Sequence, residues 1–422
     1  MTVIKDYAKK ILFGDRFEPI IKSLLEVDVY KYYMLYFIWT YYRFLEVTFA
    51  LKNRTAKVRL ADYVDLGDLQ AQINYVRNLR IDEVIVAHLR SWNIFPEEFL
   101  QYLKTIVLPE VQIERTPDGQ IDVRVTGKWM EVTLWETIIL AIVNQLYARG
   151  YVEKNGIDCG QLMKQAEERL IAKVPTLNEL TWPILLFGLR RRLSANWERR
   201  ITEILLNEAR ERIAAVSNVQ IAKEFGVPVG GTNAHELPMA VYALRLWDGK
   251  DAARNAQYEV IERLADIYPY DKRTILPDTF GSKQFIAGMS EEMARYTCGF
   301  RQDSGDPAEF ARMVIGRYEG FEINPMEKTC FFSDGLNPQK MLKLNREFQD
   351  LILGGFGWGT NGTNDTGIIP NISLVMKLIW AADRYTVKLS DNIAKAMGPK
   401  KEVSETKGIF DYDVTLNKAC TY

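Results

Sequence analysis

The sequence predicts an α/β protein, an irregular βα barrel with an N-terminal α/β domain that we expect the C-terminal segment to rejoin. Between residues 184 and 353, short apolar strand candidates alternate with helical stretches, and so many βα units suggest a barrel more than an open sheet. The chain before them carries longer alternating segments and a hairpin signal, which indicate antiparallel strands. We therefore predict an N-terminal domain over residues 1–130, a barrel domain over 131–370 and a C-terminal segment over 371–422.

The N-terminal domain is predicted from four patterns. Residues 30–39 are apolar on nearly every side, which predicts a helix covered by its own domain or by a second subunit. Residues 44–55 alternate and are rich in β-branched and aromatic side chains, as in a strand, whereas residues 60–104 look helical. Residues 116–119, Thr-Pro-Asp-Gly, lie between two short strand patterns and predict a hairpin.

The barrel domain is predicted from strands and helices that follow one another along the chain. A long buried helix is expected over residues 138–147 and a charged amphipathic helix over 195–215. The strand candidates are residues 184–187, 227–229, 275–276, 297–300, 329–332 and 351–353. The later helical stretches are residues 239–247, 252–267, 283–293, 307–318 and 338–350. Beyond Pro370, two further strand candidates at residues 372–377 and 384–389 could return to the first domain.

Composition excludes several classes of protein. The 47% hydrophobic and 12% aromatic content of the 422 residues excludes a disordered chain. Lys plus Arg (54) balance Asp plus Glu (55), so no global charge attracts nucleic acid or a membrane surface. No apolar run approaches the roughly 20 residues that span a bilayer. The four cysteines lack CxxC spacing and no secretory signal opens the chain, so we expect a cytoplasmic protein.

His235 is the first candidate for chemistry. It follows residues 227–231, an apolar run that ends at two glycines, and α/β proteins place reactive groups and phosphates after such strands. Histidine suits proton transfer or attack on a phosphoryl group near neutral pH. The alternative is a satisfied structural histidine, which is also the expected role of His88, the only other histidine.

Polar loops also follow the other strand candidates. Residues 190–192 are three arginines, which suit a carboxylate or phosphate, although a solvated basic turn is the alternative. Residues 301–306 combine a cation, carboxylates and a hydroxyl, although Asp306 and Pro307 also fit an ordinary N-capped helix start. Residues 333–335 repeat that chemistry. Residues 356–365 are rich in glycine, so their backbone N–H groups could hold a phosphate. Together the loops predict a site for a sugar with a metal-bound diphosphate.

The ordered motifs resemble those of the nicotinate phosphoribosyltransferase family, a group of type II phosphoribosyltransferases. Residues 24–31, Leu-Leu-Glu-Val-Asp-Val-Tyr-Lys, are similar to the family's opening motif, usually Leu-Leu-Asp-Thr-Asp-x-Tyr-Lys. The later matches are Leu-Trp-Glu (134–136), Phe-Gly-x-Arg-Arg-Arg (187–192), Gly-Thr-x-Ala-His-Glu (231–236), Asp-Ser-Gly-Asp-Pro (303–307), Phe-Ser-Asp-Gly-Leu (332–336), Phe-Gly-x-Gly-Thr (356–360) and Lys-Leu-Ser-Asp (388–391). They cover the chain from about residue 20 to 400 in family order.

The resemblance implies an enzyme of NAD biosynthesis and salvage. Such an enzyme transfers the 5-phosphoribosyl group of phosphoribosyl pyrophosphate to nicotinate and gives nicotinate mononucleotide and pyrophosphate. The resemblance further implies Mg²⁺, ATP as a co-substrate, and coupling to ATP hydrolysis through a phosphorylated histidine at the position of His235. It also implies a homodimer with shared active sites, in which the neighbouring subunit supplies Asp28 and Tyr30.

The resemblance assigns roles to the remaining site residues. Phe187 and Tyr30 would sandwich the pyridine ring, while Arg190 and Arg301 would bind its anionic group and the pyrophosphate. Asp303 and Asp334 are the expected catalytic carboxylates and hold ribose hydroxyls or metal, and the 5′-phosphate would lie on Gly359 and Thr360. The other expected substrate contacts in these motifs are Thr232, Ser304 and Gly335.

Asn218 is expected to select the acid over the amide. A sister branch that uses nicotinamide typically carries Asp there, which would repel a substrate carboxylate. Three residues depart from the family pattern: Glu26 and Leu186 each replace a common Asp, and Asn361 replaces a common Arg. The alternatives are a nicotinamide phosphoribosyltransferase and a non-catalytic relative that binds phosphoribosyl compounds or nucleotides.

Overall fold

The computed structural model describes the backbone of residues 2–418 and the side chains of residues 7–418, so Cys420 lies outside the described residues. Its longer helices are α1 (Thr2–Phe13), α2 (Tyr30–Tyr41), α3 (Leu66–Arg77), α4 (Glu83–Arg90), α5 (Glu97–Leu103), α6 (Trp129–Val132), α7 (Trp135–Asn155), α8 (Cys159–Ile171), α9 (Val174–Asn178), α10 (Ala195–Glu208), α11 (Val219–Phe225), α12 (Glu236–Arg245), α13 (Lys250–Ile267), α14 (Ser282–Gly288), α15 (Glu291–Tyr296), α16 (Pro307–Gly320), α17 (Pro338–Phe348), α18 (Thr360–Thr363) and α19 (Lys400–Ile409). The strands are β1 (Glu46–Asn53), β2 (Val111–Arg115), β3 (Ile121–Lys128), β4 (Ile184–Leu186), β5 (Ile213–Val216), β6 (Thr274–Ile275), β7 (Gly299–Gln302), β8 (Thr329–Phe332), β9 (Leu353–Trp358), β10 (Leu374–Ala381) and β11 (Arg384–Tyr385). The elements belong to two sheets and the helices around them, which confirms the predicted mixed α/β class.

The first sheet is antiparallel, with the strand order β11-β10-β1-β3-β2. Alternate residues of β1, among them Val47, Phe49 and Leu51, are buried on one face, as its sequence pattern predicts. β2 and β3 form the predicted hairpin. β10 returns from the far end of the chain to pair with β1, so the C-terminal segment rejoins the N-terminal sheet as expected.

The second sheet is parallel, with the strand order β5-β4-β9-β8-β7-β6. Helices connect its strands, and these crossovers bring the carboxyl ends of all six strands to one edge. Among the described residues, no ladder joins β5 to β6, so hydrogen bonding does not close the barrel. The polar loops predicted after the strands therefore converge at this edge.

One helix prediction and two strand predictions in the barrel domain are wrong in position. The predicted helix over residues 195–215 ends at Glu208, and its last residues form β5 instead. Residues 227–229 make only one bridge, Val216 to Val229, because Pro228 has no N–H to give to a ladder. The strand expected at residues 351–353 begins at Leu353 and continues through the glycine-rich stretch to Trp358.

Two further differences concern smaller elements. The helix expected over residues 283–293 is two helices, α14 and α15, and the Ser290 hydroxyl caps the second by accepting from Met293 N. Of residues 384–389, only Arg384 and Tyr385 pair as a strand. No described helix is long and apolar enough to cross a membrane.

The apolar helix α2 is covered within its own chain. Eight of its residues, from Tyr30 to Ile38, are buried. The rings of Tyr33 and Tyr36 on this helix pack against Trp92, Phe95 and Phe99 in and between α4 and α5, and against Tyr268 at the end of α13. The sequence predicted that either the same chain or a second subunit covers this helix, and in the structure the same chain does.

Candidate active site

A cavity lies at the carboxyl edge of the parallel sheet and reaches the antiparallel sheet through Arg54, Val375 and Lys377. All but two of the predicted site residues line it, so residues scattered over more than 300 positions come together. They are Asp28, Tyr30, Phe187, Arg190, Thr232, His235, Arg301, Asp303, Asp334, Gly335, Gly359 and Thr360. The two that do not line the cavity are Asn218 and Ser304.

His235 is a buried residue directly before α12, and both of its ring nitrogens have partners. Nδ1 lies 3.0 Å from Thr279 Oγ1. Nε2 lies 2.7 Å from Lys388 Nζ and 3.1 Å from Asp303 Oδ2, so it faces a cation and an anion at once. The Asp278 carboxylate lies 3.7 Å from the same nitrogen.

The electrostatics of this cluster keep the imidazole neutral. Burial, and then the charge of Lys388, lower the pKa of His235 from 6.5 to about 4. Burial would raise the pKa of Asp303, but Arg301 and His235 hold it well below its usual value. A neutral imidazole keeps a lone pair near pH 7, which is the form that can accept a phosphoryl group.

Arg301 organises the loops around Asp303. Its guanidinium donates to Asp303 Oδ1 (3.0 Å), Ser333 Oγ (3.0 Å) and Thr232 Oγ1 (2.8 Å), which joins three loops. Asp334 accepts from Lys395 Nζ at 2.6 Å, and burial raises the pKa of its carboxyl. The cavity therefore alternates cations and carboxylates, an arrangement that suits a sugar carrying several phosphates.

Another part of the cavity lining, its pyridine end, is aromatic. Phe187 follows β4 directly, and a Cβ on the neighbouring Gly357 would lie 2.7 Å from its ring, so only glycine leaves room for it. Tyr30 donates its hydroxyl to Glu136 Oε2 at 3.1 Å. Arg190 Nε lies 3.6 Å from Asp28 Oδ2, an atom that is buried without a hydrogen-bond partner among the described residues. This end offers ring faces and a guanidinium to a flat anion.

The comparison with known proteins agrees with this geometry. Residues 184–414 match the nicotinate phosphoribosyltransferase (NAPRTase) family, and residues 25–144 match the N-terminal domain of that family. The chain belongs to the nicotinate phosphoribosyltransferase family. It is therefore an enzyme, and the family supports a phosphoribosyl-transfer reaction in NAD salvage.

Solved structures of the family are similar over nearly the whole chain. The nicotinate phosphoribosyltransferase from Porphyromonas gingivalis is 29% identical, and the match covers 93% of this chain and 100% of that chain with a TM-score of 0.84. The nicotinate phosphoribosyltransferase from Vibrio cholerae is 25% identical, covering 96% of this chain and 97% of that chain with a TM-score of 0.86. The two-sheet architecture is thus that of this family.

Asn218 and Ser304 do not line the cavity, although the resemblance implied that both contact the substrate. Asn218 Oδ1 caps α11 and its Nδ2 donates to Glu198 at 2.9 Å, so the side chain is committed away from the cavity. Ser304 is buried and donates to Asp278 Oδ2 at 2.5 Å. Both side chains hydrogen-bond to residues outside the cavity lining, and neither faces the space that a substrate would fill.

The structure places Asp28 and Tyr30 in the cavity of their own chain, whereas the resemblance implied that a neighbouring subunit supplies them. Ser217 of the same chain donates to Asp28 Oδ1 at 2.6 Å, and a β-bridge joins Asp28 to Asn218. Tyr30 lines the same cavity as Phe187. The short connection between Leu25 and α2, which Gln220 N anchors on Leu25 O, holds both residues in the site of their own chain.

The three departures from the family pattern have separate explanations. Leu186 is buried outside the cavity, since its neighbours Leu185 and Phe187 are the residues of β4 and its end that face inward. Glu26 pairs with the buried Arg192 at 3.2 Å. Asn361 lines the cavity, where its carbonyl accepts from Lys173 at 2.6 Å. Only the last departure touches the space that a substrate would fill.

Four residues that shape this site were not among the predicted site residues: the buried Glu136, Asp278 and Lys388, and the half-buried Lys377. Asp278 comes soon after β6, so the rule applied to the other strands would have found it. Lys388 and Glu136 stand in quoted motifs, but their contacts arise only in the fold. Lys377 is an inward residue of β10, and burial lowers its pKa to about 8.

The arrangement could also hold a metal ion. Among the described residues, one group of potential ligands, His235, Asp278 and Asp303, places its ligand atoms within 4.8 Å of one another. Asp278 Oδ1 is buried there without a hydrogen-bond partner. Asp334, the second expected ligand, is not in this group but lines the same cavity. Carboxylate oxygens are the donors that Mg²⁺ prefers, so the residues fit the ion.

Proposed function

We propose that the enzyme transfers the 5-phosphoribosyl group of phosphoribosyl pyrophosphate to the ring nitrogen of nicotinate, with coupling to ATP hydrolysis. The observation that carries the proposal is a cavity with an aromatic, guanidinium-bearing end and a second end built around a neutral histidine, carboxylates and lysines. The first end suits a pyridine carboxylate. The second suits phosphates and a sugar.

The pyridine end would bind and orient nicotinate. Tyr30 and Phe187 offer ring faces, and the Arg190 guanidinium can pair with the substrate carboxylate. This pairing supports nicotinate over nicotinamide, because the neutral amide gains much less from a cation. The acid preference therefore rests on Arg190, since Asn218 points away from the cavity.

The transfer step would break the bond between the ribose C1 and the diphosphate as the pyridine nitrogen bonds to C1. Positive charge builds on the sugar in such a step, which Asp303 and Asp334 can stabilise. The diphosphate departs as an anion toward Arg301, Lys388 and Lys395. Mg²⁺ on Asp303 and Asp334, when bound, would neutralise the leaving group. Gly359 and Thr360 would hold the 5′-phosphate through backbone N–H groups.

His235 would accept the phosphoryl group of ATP. Its neutral imidazole supplies the lone pair as the bond from the phosphoryl group to the departing ADP breaks, and water later cleaves the phosphohistidine to phosphate. Lys388 lies 2.7 Å from His235 Nε2, and Arg301 pairs with Asp303 beside the imidazole, so both cations can offset the charge of the phosphoryl oxygens. The pyridine nucleotide forms in the same cavity without a bond to the histidine. Loss of His235 should therefore remove the ATP effect before it removes transfer.

The test is an assay of the purified protein with phosphoribosyl pyrophosphate, Mg²⁺ and either pyridine, with and without ATP. We expect nicotinate mononucleotide and pyrophosphate, and more of both when ATP is present. If only nicotinamide, and not nicotinate, gave a product, the enzyme would be a nicotinamide phosphoribosyltransferase instead. Binding of nucleotide with no product from either pyridine would contradict the proposal.

We also propose a homodimer, but one in which each chain carries its own complete site. Asp28, Tyr30, Phe187 and Arg190 line one cavity of one chain. Mixing an inactive Tyr30→Ala protein with an inactive Arg190→Ala protein should then restore no activity. Recovery of activity on mixing, with a dimer seen by sedimentation, would show that the sites are shared after all.

A further inference from the structure

A buried ion cluster lies beneath the two ends of the cavity, and Lys31 is at its centre. Lys31 on α2 is fully buried. Its ammonium has three donors and three acceptors: Glu136 Oε2 at 2.6 Å, Glu236 Oε2 at 2.7 Å and Thr133 Oγ1 at 3.1 Å. A buried charge that is fully paired in this way is held in one position, because losing any partner leaves another charge unpaired.

The first arm of the cluster leads to the pyridine end. Glu136 Oε2 accepts from the Tyr30 hydroxyl at 3.1 Å, while Oε1 lies 3.4 Å from Lys377 Nζ and 3.8 Å from Arg190 Nη1. Burial would raise the pKa of Glu136, but Lys31 and Lys377 keep it below its ordinary value, so the carboxylate stays charged. Glu136 thus accepts from the Tyr30 hydroxyl and lies within 4 Å of the Arg190 guanidinium, and both of these residues would hold nicotinate.

The second arm leads to His235. Glu236 is the next residue in the chain and begins α12. Its Oε1 accepts from Thr133 Oγ1 at 2.6 Å and from Trp129 Nε1 at 3.1 Å, while Oε2 pairs with Lys31. The loop before the histidine also rests on the opening motif, since a Cβ on Gly231 would lie 2.7 Å from Val29 Cγ1. The position of His235 therefore depends on α2 and α6.

We infer that Lys31 is a positioning residue that couples the two ends of the site, so that the pyridine-binding residues and the phosphoryl-accepting histidine adopt their working positions together. One ammonium shared by Glu136 and Glu236 links the Tyr30 and Arg190 end to the residue that follows His235. Without the Lys31 ammonium, the buried carboxylates of Glu136 and Glu236 repel each other, and the two ends of the site move independently. This inference rests on the proposed function of the site.

The main test is Lys31→Met, which keeps the length of the side chain and removes its charge. We expect the KM for nicotinate to rise about tenfold, the effect of losing a hydrogen bond to a charged group. We also expect the variant to hydrolyse several-fold more ATP for each nucleotide that it forms. A purely structural role would lower the amount of folded enzyme and leave both quantities unchanged. A thermal melt reports folding.

A milder pair of variants decides the question if Lys31→Met does not fold. Trp129→Phe removes one indole donor from Glu236, and Trp129 does not line the cavity. Its matched control is Trp135→Phe, which also removes one indole donor from a fully buried tryptophan, the bond to Pro109 O at 3.3 Å. We expect Trp129→Phe alone to raise the nicotinate KM about threefold and to change the ATP ratio.

The outcomes separate the inference from the proposed function. If the wild-type enzyme forms no nicotinate mononucleotide, the proposed function fails. If the wild-type enzyme is active but folded Lys31→Met changes only the KM, only the ATP ratio or neither, the coupling role is overturned. Equal behaviour of Trp129→Phe and Trp135→Phe would overturn it in the same way.

Discussion

The two ends of the cavity differ in chemistry, since one is aromatic with a single cation and the other is a cluster of charged groups around a histidine. At the pyridine end, Phe187 and Tyr30 present ring faces and Arg190 presents one guanidinium. At the other end, His235 lies within 4 Å of Lys388, Asp303 and Asp278, so charges of both signs surround a neutral ring. From this difference we predict that mutations can separate pyridine recognition from the proposed phosphoryl chemistry, although buried Lys31 contacts residues that lead to both ends.

The largest effect is expected at Asp303, which serves the transfer step itself. Asp303→Asn removes the charge that faces both Arg301 and His235, and we expect kcat to fall by about 10²–10³, as for other groups that stabilise developing charge. Steady-state kinetics with saturating substrates measures this loss. The control is Asp306→Asn, because Asp306 caps α16 and asparagine caps equally well. A normal kcat in Asp303→Asn would remove this carboxylate from the mechanism.

Arg190 should affect binding more than chemistry. Arg190→Ala removes the cation for the substrate carboxylate, so we expect the KM for nicotinate to rise about 10–100-fold, the cost of a lost charged hydrogen bond. Any residual use of nicotinamide should change much less. Arg200→Ala, which breaks only the surface pairs with Glu167 and Glu203, is the control. If the KM values for nicotinate and nicotinamide rose equally, Arg190 would not be the residue that recognises the substrate carboxylate.

A smaller effect concerns stability against pH. The pKa of His235 is 6.5 in an ordinary setting and about 4 in the fold, so below pH 6.5 the unfolded chain takes up a proton that the folded chain does not. This difference should cost the wild type about 2 kcal/mol of stability between pH 7 and pH 5. Denaturant unfolding of the wild type and His235→Asn measures it. If both proteins lose the same stability, the pKa of His235 is not depressed.

The antiparallel sheet was easier to predict than the parallel one. The long alternating pattern of β1 and the Thr-Pro-Asp-Gly turn of the β2–β3 hairpin indicate their structure locally. The sequence analysis missed β5 because residues 209–215 favour a helix, and residues 213–216 form a strand only by pairing with β4. β9 was shifted because glycines that suggest a loop are there to admit neighbouring side chains such as Phe187.

The site shows the same limit. Motif order and the position of loops after strands located most residues of the cavity. The direction of a side chain was not accessible, so Asn218 was expected to face the substrate although it caps α11 and bonds Glu198. Contacts between distant segments, such as Lys388 with His235, depend on how the C-terminal segment returns, which no local pattern records.

The central claim is that His235 serves ATP coupling while the rest of the cavity performs transfer. The most direct measurement is the rate of nicotinate mononucleotide formation by wild type and His235→Ala, each with and without ATP. We predict that ATP stimulates the wild type several-fold, whereas His235→Ala keeps the rate seen without ATP and gains nothing from it. Continued stimulation of His235→Ala by ATP, or complete loss of its transfer activity without ATP, would contradict the account.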